Sequence, residues 1–266
     1  MSDSNSIQSL SSKDTQVSSE NTPVSKVRTV GAGNEFVIIG NHKYYRHELM
    51  GAMAGYLYPG VHPAPVHKFG NSAAVGLVAF ATSTLIMSLY GVHAKGIVVP
   101  NMAVATAFFF GGICQILSGT WDLVTGNTFG ATAMTSFGCF WLSYGAMMTP
   151  SFGILAAYME QDPTQLENAI GFYLISWAIL AFMLLLLTFK SSVPFILLFF
   201  NIMMTFLLQG AGAMAGSAKT TLAGNYFGMF TATSGFYMAY LGMATPQNSY
   251  FQLPHIPVSD AYYAGH

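Results

Sequence analysis

Six long stretches of the chain contain no Asp, Glu, Lys or Arg, and apolar residues dominate each of them. A helix that crosses a bilayer needs about 20 mainly apolar residues, so each stretch can hold one crossing. The pattern predicts six transmembrane helices, at about 73–93, 97–119, 129–149, 169–189, 193–216 and 221–244. The uncharged stretches are 69–94, 96–121, 123–159, 168–189, 191–218 and 220–259.

The predicted spans are helices rather than strands of a barrel. Lipid offers the backbone no hydrogen-bond partner, so a span must be a helix or belong to a closed barrel. Barrel strands alternate apolar and polar positions, whereas continuous apolar runs such as 184–187 do not. The sequence therefore predicts an all-α integral membrane protein with six transmembrane helices.

The remaining residues divide the chain into four predicted regions. Residues 1–40 are rich in Ser, Thr and Asn, with one aromatic residue, Phe36, and are predicted to form a disordered cytoplasmic tail. Residues 41–70 combine aromatic and basic side chains, which is typical of a juxtamembrane interfacial segment, with a short helix expected near 46–53. The transport domain is expected over 71–245, followed by a cytoplasmic C-terminal tail at 246–266.

Basic residues indicate how the chain crosses the membrane. Six of the nine Lys and Arg residues precede the first predicted span. Cytoplasmic segments next to a membrane are enriched in these residues, so the N-terminus is predicted to be cytoplasmic. Six crossings return the C-terminus to the same side. Lys95 and Lys219 then fall on the opposite side, against this trend.

The composition also excludes several classes of function. Charged residues make up 7% of the chain, against about 25% in soluble domains. The net charge of −1 provides no basic surface for nucleic acid. No metal-binding or nucleophile–base constellation occurs in the spans, so neither an enzyme nor a cofactor site is expected. The partners expected from the sequence are membrane lipid and a small solute.

The polar residues inside the predicted spans are neutral. Asn201, Thr205 and Gln209 recur every four residues and share one helix face. Such residues either join packed helices by hydrogen bonds or line a polar path, and the set as a whole favours a path. The other candidate path residues in or next to the spans are Asn71, Ser83, Thr84, Gln115, Thr132 and Ser136.

Asp122 is the one acidic residue between two predicted spans on the cytoplasmic side. It could take part in proton coupling or attract a cation. Alternatively, it could be an interfacial carboxylate that caps a helix or pairs within a loop.

Two segments of the chain have a distinctive sequence, Gly-Gly-Ile-Cys-Gln-Ile-Leu-Ser-Gly-Thr-Trp-Asp at 111–122 and Gly-Asn-Thr-Phe-Gly-Ala-Thr-Ala at 126–133. Both segments resemble the acetate uptake transporter family of fungi and bacteria. The segments Pro-Ala-Pro-Val-His-Lys-Phe at 63–69 and Gln-Asn-Ser-Tyr at 247–250 are similar to fungal members, which are also described as ammonia exporters. The resemblance extends over roughly residues 35–250.

The resemblance implies a plasma-membrane transporter or channel for acetate and other short monocarboxylates, with proton coupling commonly proposed. It also implies a homo-hexamer with a separate path through each protomer. By the same resemblance, Phe80, Phe137 and Ile202 form the narrowest part of the path. Without it, ordinary helix packing would be the simplest role for these three residues.

The chain departs from the resemblance at one motif. The family signature Asn-Pro-x-Pro-Leu-Gly-Leu is Asn-Ser-Ala-Ala-Val-Gly-Leu at 71–77, without either proline. The family's usual Glu is replaced by Asp122. Two alternatives therefore stay open beside acetate transport. One is an ammonia or ammonium exporter on the same scaffold, and the other is a non-transporting sensor of acid or acetate.

Overall fold

The structure, a computed structural model, describes residues 28–31, 33–49 and 69–258. The chain divides into two compact units, Met1–His67 and Lys68–His266. Most of the predicted N-terminal tail, the proline-rich part of the interfacial segment and the last eight residues lie outside the described residues. The predicted helix near 46–53 is described only at 46–49, which are helical.

The first unit contains a three-stranded antiparallel sheet, so the prediction of disorder over all of 1–40 is wrong at its C-terminal end. The strands are β1 (Arg28–Val30), β2 (Phe36–Ile39) and β3 (His42–Tyr45), in the order β1-β2-β3. Ile39 pairs with His42 across a two-residue turn in which Gly40 has a φ of +61°. A Gly-Asn pair suits a tight hairpin, and β-branched and aromatic residues favour the strands on either side. The all-α prediction thus applies to the second unit alone.

The second unit consists of helices joined by short turns. Its long helices begin and end close to the predicted spans. Their bounds are α1 (Ser72–Gly91), α2 (Asn101–Val124), α3 (Thr128–Met148), α4 (Ile154–Gln161), α5 (Leu166–Thr188), α6 (Val193–Met214) and α7 (Ala218–Met243).

Helix α2 differs most from its predicted bounds of 97–119. It begins directly after Pro100, because proline has no N–H to donate within a preceding turn, and it continues to Val124. Its middle, Ala107–Cys114, is wound as a π-helix. Gly111 and Gly112 in this segment lie against the side chains of Trp141 and Leu142. The missing side chains at these two glycines let α2 approach α3 closely.

Four of the described helical segments are long and apolar enough to cross a membrane: Ser72–Gly91, Asn101–Val124, Pro163–Thr188 and Val193–Met214. Helices α3 and α7 have 21 and 26 residues, which is also sufficient length. They carry more Gly, Ser and Thr, and this lowers their apolar character. The structure therefore identifies a mostly helical membrane protein with four clearly apolar helices.

Helices α5, α6 and α7 pack in sequence order, and α7 also packs along α1, which contacts α2. A buried cluster of aromatic and aliphatic side chains from α1, α3, α5 and α6 forms the centre of the unit. The C-terminal segment after α7 is anchored to this bundle. Val193 N–H donates to the Ile256 carbonyl at 2.8 Å, and the Tyr237 hydroxyl donates to the Pro254 carbonyl at 2.6 Å. Part of the predicted tail at 246–266 is thus attached to the helices.

Candidate functional site

A cavity of about 140 Å³, cavity 1, lies among α1, α3, α5, α6 and α7, with one residue from α4. It is mainly apolar, but hydroxyl and amide groups enter it from several helices. Its lining residues on α1 and α3 are Phe80, Thr84, Met87, Ser88, Phe140, Trp141, Tyr144, Met147 and Met148. The others are Leu155, Ile170, Tyr173, Leu174, Ile202, Thr205, Phe206, Gln209 and Thr231.

A second cavity of about 260 Å³, cavity 2, lies towards the opposite ends of the same helices. It is formed by the N-terminal halves of α1, α3 and α6 together with one residue of α2. Its lining residues are Ala73, Leu77, Phe80, Gln115, Asn127, Phe129, Gly130, Ala133, Met134, Phe137, Phe195, Leu198, Phe199 and Ile202.

Phe80 and Ile202 line both cavities, and Phe137 lines cavity 2 beside them. The ring centroids of Phe80 and Phe137 are 5.7 Å apart, and Phe137 stacks on Phe206 at 6.3 Å. All three side chains are almost fully buried. The residues of the expected constriction are therefore neighbours, and they lie where one cavity ends and the other begins.

Serine and threonine residues from three helices line cavity 1. The Thr205 hydroxyl donates to the Asn201 carbonyl at 2.7 Å and lies 3.3 Å from the Thr231 hydroxyl on α7. Thr84 Oγ1 on α1 is buried and has no partner among the described residues. A buried polar atom without a hydrogen bond lowers the stability of the folded protein. Packing alone therefore does not explain the hydroxyl of Thr84.

Cavity 2 holds fewer polar groups. Gln115 is 1% exposed, and its Nε2 lies 3.7 Å from the Met134 sulfur, a weak acceptor. Its Oε1 has no partner within the described part of the chain. Asn127 accepts a hydrogen bond from the Gly130 N–H at 3.0 Å and caps α3.

Four of the nine predicted path residues line cavity 1 or cavity 2. Thr84, Thr205 and Gln209 line cavity 1, and Gln115 lines cavity 2. Thr132 is exposed and bonds the Thr128 carbonyl of its own helix. The five predicted path residues outside the lining of cavities 1 and 2 are Asn71, Ser83, Thr132, Ser136 and Asn201.

Packing contacts account for the positions of several of these five residues. Asn71 donates to the Gly242 carbonyl at 3.1 Å and joins the start of α1 to the end of α7. Ser83 is fully buried between α1 and α2 and contacts the Thr106 carbonyl at 3.4 Å. Asn201 precedes Thr205 by four residues, but a helix turns by about 400° over that interval, so a stripe drifts around the axis. Helix adhesion, the alternative reading of these side chains, describes Asn71 and Ser83 better.

Asp122 lies in the last turn of α2 rather than in an open loop. It is 3% exposed, and Ser72 at the start of α1 donates a hydrogen bond to its Oδ1. Asp122 Oδ2 is buried without a partner among the described residues. The Ser118 hydroxyl donates to the Ser72 carbonyl at 2.7 Å, so two bonds hold the first turn of α1 against α2. Ser72 occupies the position of the first signature proline.

Sequence reasoning missed three polar residues of this region. Tyr144 and Tyr173 line cavity 1, and Tyr173 accepts or donates a 2.6 Å hydrogen bond with Ser143. Asn225 on α7 accepts a hydrogen bond from Gln209 Nε2 at 2.9 Å. One signal was available, because Asn225 is the one amide side chain in the predicted span 221–244.

The sequence profile of the GPR1/FUN34/yaaH family matches residues 53–260, which is most of the chain. The chain belongs to this family. Its relatives include the "Accumulation of dyads protein 2" of Saccharomyces cerevisiae, which is 48% identical over 225 residues, 85% of this chain and 79% of the relative. Family membership agrees with the resemblance drawn from the sequence motifs.

Two further family relatives carry functional names. The "Ammonia transport outward protein 2" of Saccharomyces cerevisiae is 45% identical over 86% of this chain and 81% of its own length. The "Acetate permease A" of Emericella nidulans is 36% identical over 82% of this chain and 78% of its own length.

The structure of this chain is similar to a solved structure of the bacterial acetate channel SatP. It superimposes with a TM-score of 0.63 and 28% sequence identity, covering 71% of this chain and 99% of the bacterial chain. The helical unit thus has the fold of a channel protein.

Proposed function

We propose that this protein is a plasma-membrane transporter or channel for acetate and other short monocarboxylates. The observation that carries the proposal is the pair of cavities that meet at Phe80 and Ile202. The names of two similar proteins, an acetate permease and an acetate channel, support the choice of substrate. In this proposal all of the long helices, including α3 and α7, cross the membrane, and both termini are cytoplasmic.

Phe80, Phe137 and Ile202 form the hydrophobic neck of the proposed path. A narrow apolar constriction loses its water readily, so it opposes the passage of hydrated ions. A short monocarboxylate presents a methyl group to this surface and carries one polar end. Thr84, Thr205 and Gln209 on one side of the neck, and Gln115 on the other, provide polar groups for that end.

Proton coupling is proposed for Asp122. Its carboxylate is buried at the end of α2, one oxygen is bonded by Ser72, and the other has no partner among the described residues. Gly130, which lines cavity 2, is so close that an added Cβ would lie 2.5 Å from Asp122 Oδ2. Protonation of a carboxylate in this position would change a contact that joins α1 to α2 beside cavity 2.

The proposed assembly is a homo-hexamer in the lipid bilayer. Helix α2 exposes an apolar stripe of Phe109, Ile113, Leu117 and Trp121, with residues four apart on one face. Lipid or a neighbouring protomer would cover such a stripe in the membrane.

The test is uptake of labelled acetate by purified protein in liposomes, at acid and neutral pH, beside empty liposomes. We expect a saturable signal that is stronger at acid pH. Ile202→Trp, which fills the neck, should lower uptake by about tenfold or more, whereas Leu207→Trp on the exposed face of α6 should not. Uptake that never exceeds that of empty liposomes would refute the proposal.

Export of ammonia or ammonium is the second candidate. It is favoured by the relative named as an ammonia transport outward protein and by the neutral hydroxyl and amide groups of cavity 1. Labelled methylammonium in the same liposomes separates the candidates. Saturable methylammonium transport without acetate transport would replace the first proposal by the second.

A further inference from the structure

A third cavity of about 500 Å³, cavity 3, lies at the ends of α1 and α6 and at the starts of α5 and α7. An imidazole and a carboxyl group, those of His93 and Glu167, belong to its lining, whereas the residues that line cavity 1 include no His, Asp, Glu, Lys or Arg. It sits beyond the Gln209 end of cavity 1. Its lining residues are Gly91, His93, Glu167, Gly212, Ala213, Gly216, Ser217, Ala218, Thr221, Leu222 and Asn225.

One hydrogen bond links the linings of cavities 1 and 3. Gln209 lines cavity 1, Asn225 lines cavity 3, and Gln209 Nε2 donates to Asn225 Oδ1 at 2.9 Å. Asn225 is only 6% exposed although it borders a large cavity. The two amide groups therefore form a polar partition between the more polar cavity 3 and the mainly apolar cavity 1.

Glycines on two helices make room for this amide pair. A Cβ added to Gly91, the last residue of α1, would overlap the amide carbon and oxygen of Asn225. A Cβ added to Gly224 would lie 2.8 Å from Gln209 Cγ. The Asn225 amide thus rests directly on the backbone of α1, and the Gln209 stem rests on that of α7. Any side chain at position 91 would displace the amide.

We propose that Gln209 and Asn225 form a polar gate and a transient binding site for the carboxylate group of the substrate between cavities 3 and 1. A carboxylate oxygen first accepts a hydrogen bond from Asn225 Nδ2, because the bond with Gln209 uses only Asn225 Oδ1 and leaves this donor unused among the described residues. It then accepts from Gln209 Nε2 in place of Asn225 Oδ1. The exchange replaces one hydrogen bond by another, so the polar end of the substrate enters cavity 1 without losing all its partners. This inference rests on the proposed monocarboxylate transport.

The chemical test is the substitution Asn225→Asp, which changes the shape of the side chain very little. The introduced carboxylate would still accept the hydrogen bond from Gln209, but the amide donor is lost and the added negative charge repels a carboxylate. We expect Asn225→Asp to lower acetate uptake in liposomes by about tenfold or more. Acetate uptake within about twofold of the wild type would overturn the gate.

The geometric test replaces Gly91 by Ala and leaves both amides in place. The added methyl group displaces the Asn225 amide, so we expect acetate uptake to change by at least about threefold. Gly70→Ala is the matched control, because nothing lies within 4 Å of a Cβ at that position. Equal acetate uptake by the two variants would contradict the gate. Elution of each variant as a single species in detergent provides the check on folding.

Acetate uptake by the wild-type protein separates a failure of the proposed function from a failure of the proposed gate. No acetate uptake by the wild type would refute both the proposed function and the gate. Wild-type uptake that neither Asn225→Asp nor Gly91→Ala alters would refute the gate alone. If Asn225→Asp does not fold, Gln209→Glu places the same negative charge on the other side of the partition and is subject to the same threshold.

Discussion

Cavities 1 and 2 share Phe80 and Ile202 but offer different polar groups to a solute. Cavity 1 receives hydroxyls from α1, α6 and α7, together with two tyrosines from α3 and α5. Cavity 2 contains the amides of Gln115 and Asn127 among phenyl rings of α3 and α6. Because both cavities share Phe80 and Ile202, we expect any difference in how a substrate is bound in them to come from these polar groups and from Asp122 beside cavity 2.

The largest effect is expected at the neck itself. Phe137→Ala removes a buried ring that contacts Phe80, Phe199 and Phe206, and should reduce the free energy of unfolding by about 3–5 kcal/mol. Denaturation in detergent measures this loss. Phe172→Ala is the control, because Phe172 is 65% exposed on α5 and its replacement should cost less than about 1 kcal/mol. In uptake assays the widened neck should admit longer monocarboxylates than acetate, and unchanged selectivity would argue that the neck lies elsewhere.

The next effect concerns the charge beside cavity 2. Asp122→Asn keeps the shape of the side chain and its bond with Ser72 but cannot gain or lose a proton. We expect the ratio of acetate uptake at acid and neutral pH to fall by about tenfold or more. Asp162→Asn, at an exposed carboxylate between α4 and α5, should leave that ratio unchanged. A pH ratio that survives in Asp122→Asn would assign proton coupling to another group.

A smaller effect separates two threonines of cavity 1. Thr84→Val removes a buried hydroxyl without a partner among the described residues, so the free energy of unfolding should rise by about 1 kcal/mol. Thr205→Val removes a hydroxyl that is bonded to Asn201 and lies near Thr231, so the free energy of unfolding should fall by about 1 kcal/mol. Both substitutions should reduce acetate uptake. Equal changes in stability would mean that Thr84 has a partner in the folded protein.

The smallest effect lies outside the membrane-spanning helices. Hydrogen bonds from the Thr164 hydroxyl, the Gln165 amide and the Thr164 backbone lower the pKa of the exposed Asp162 carboxyl. A lowered native pKa means that its contribution to stability is present above the unfolded-state pKa and is lost as the pH falls through the native value. NMR titration should find the Asp162 pKa below the usual range and higher in Thr164→Val. Equal pKa values would show that the Thr164 contacts do not form.

Part of the candidate site could be predicted from the sequence, because family motifs and helical spacing pointed to its residues. Phe80, Phe137 and Ile202 were chosen from the resemblance, and the structure brings them together, although their role as a constriction stays a prediction. The stripe of Asn201, Thr205 and Gln209 was chosen from helical spacing, and two of its three members line cavity 1. Spacing defines a helix face but not the residues that this face contacts. The sequence therefore could not decide which of the other candidates line a path and which join packed helices.

The sequence by itself determined the local properties of the protein. Uncharged apolar stretches determined the bounds of the long helices to within a few residues at most ends. The same stretches determined that the polar side chains inside these helices are mostly neutral. These properties depend on neighbours along the chain, because a helix satisfies its own backbone. Only the tertiary structure decided that Asp122 is buried against Ser72 and that Gln209 bonds Asn225 over Gly91. Such contacts depend on how closely the helices approach one another. Glycines permit the approach, but the sequence does not reveal which neighbouring helix each glycine contacts.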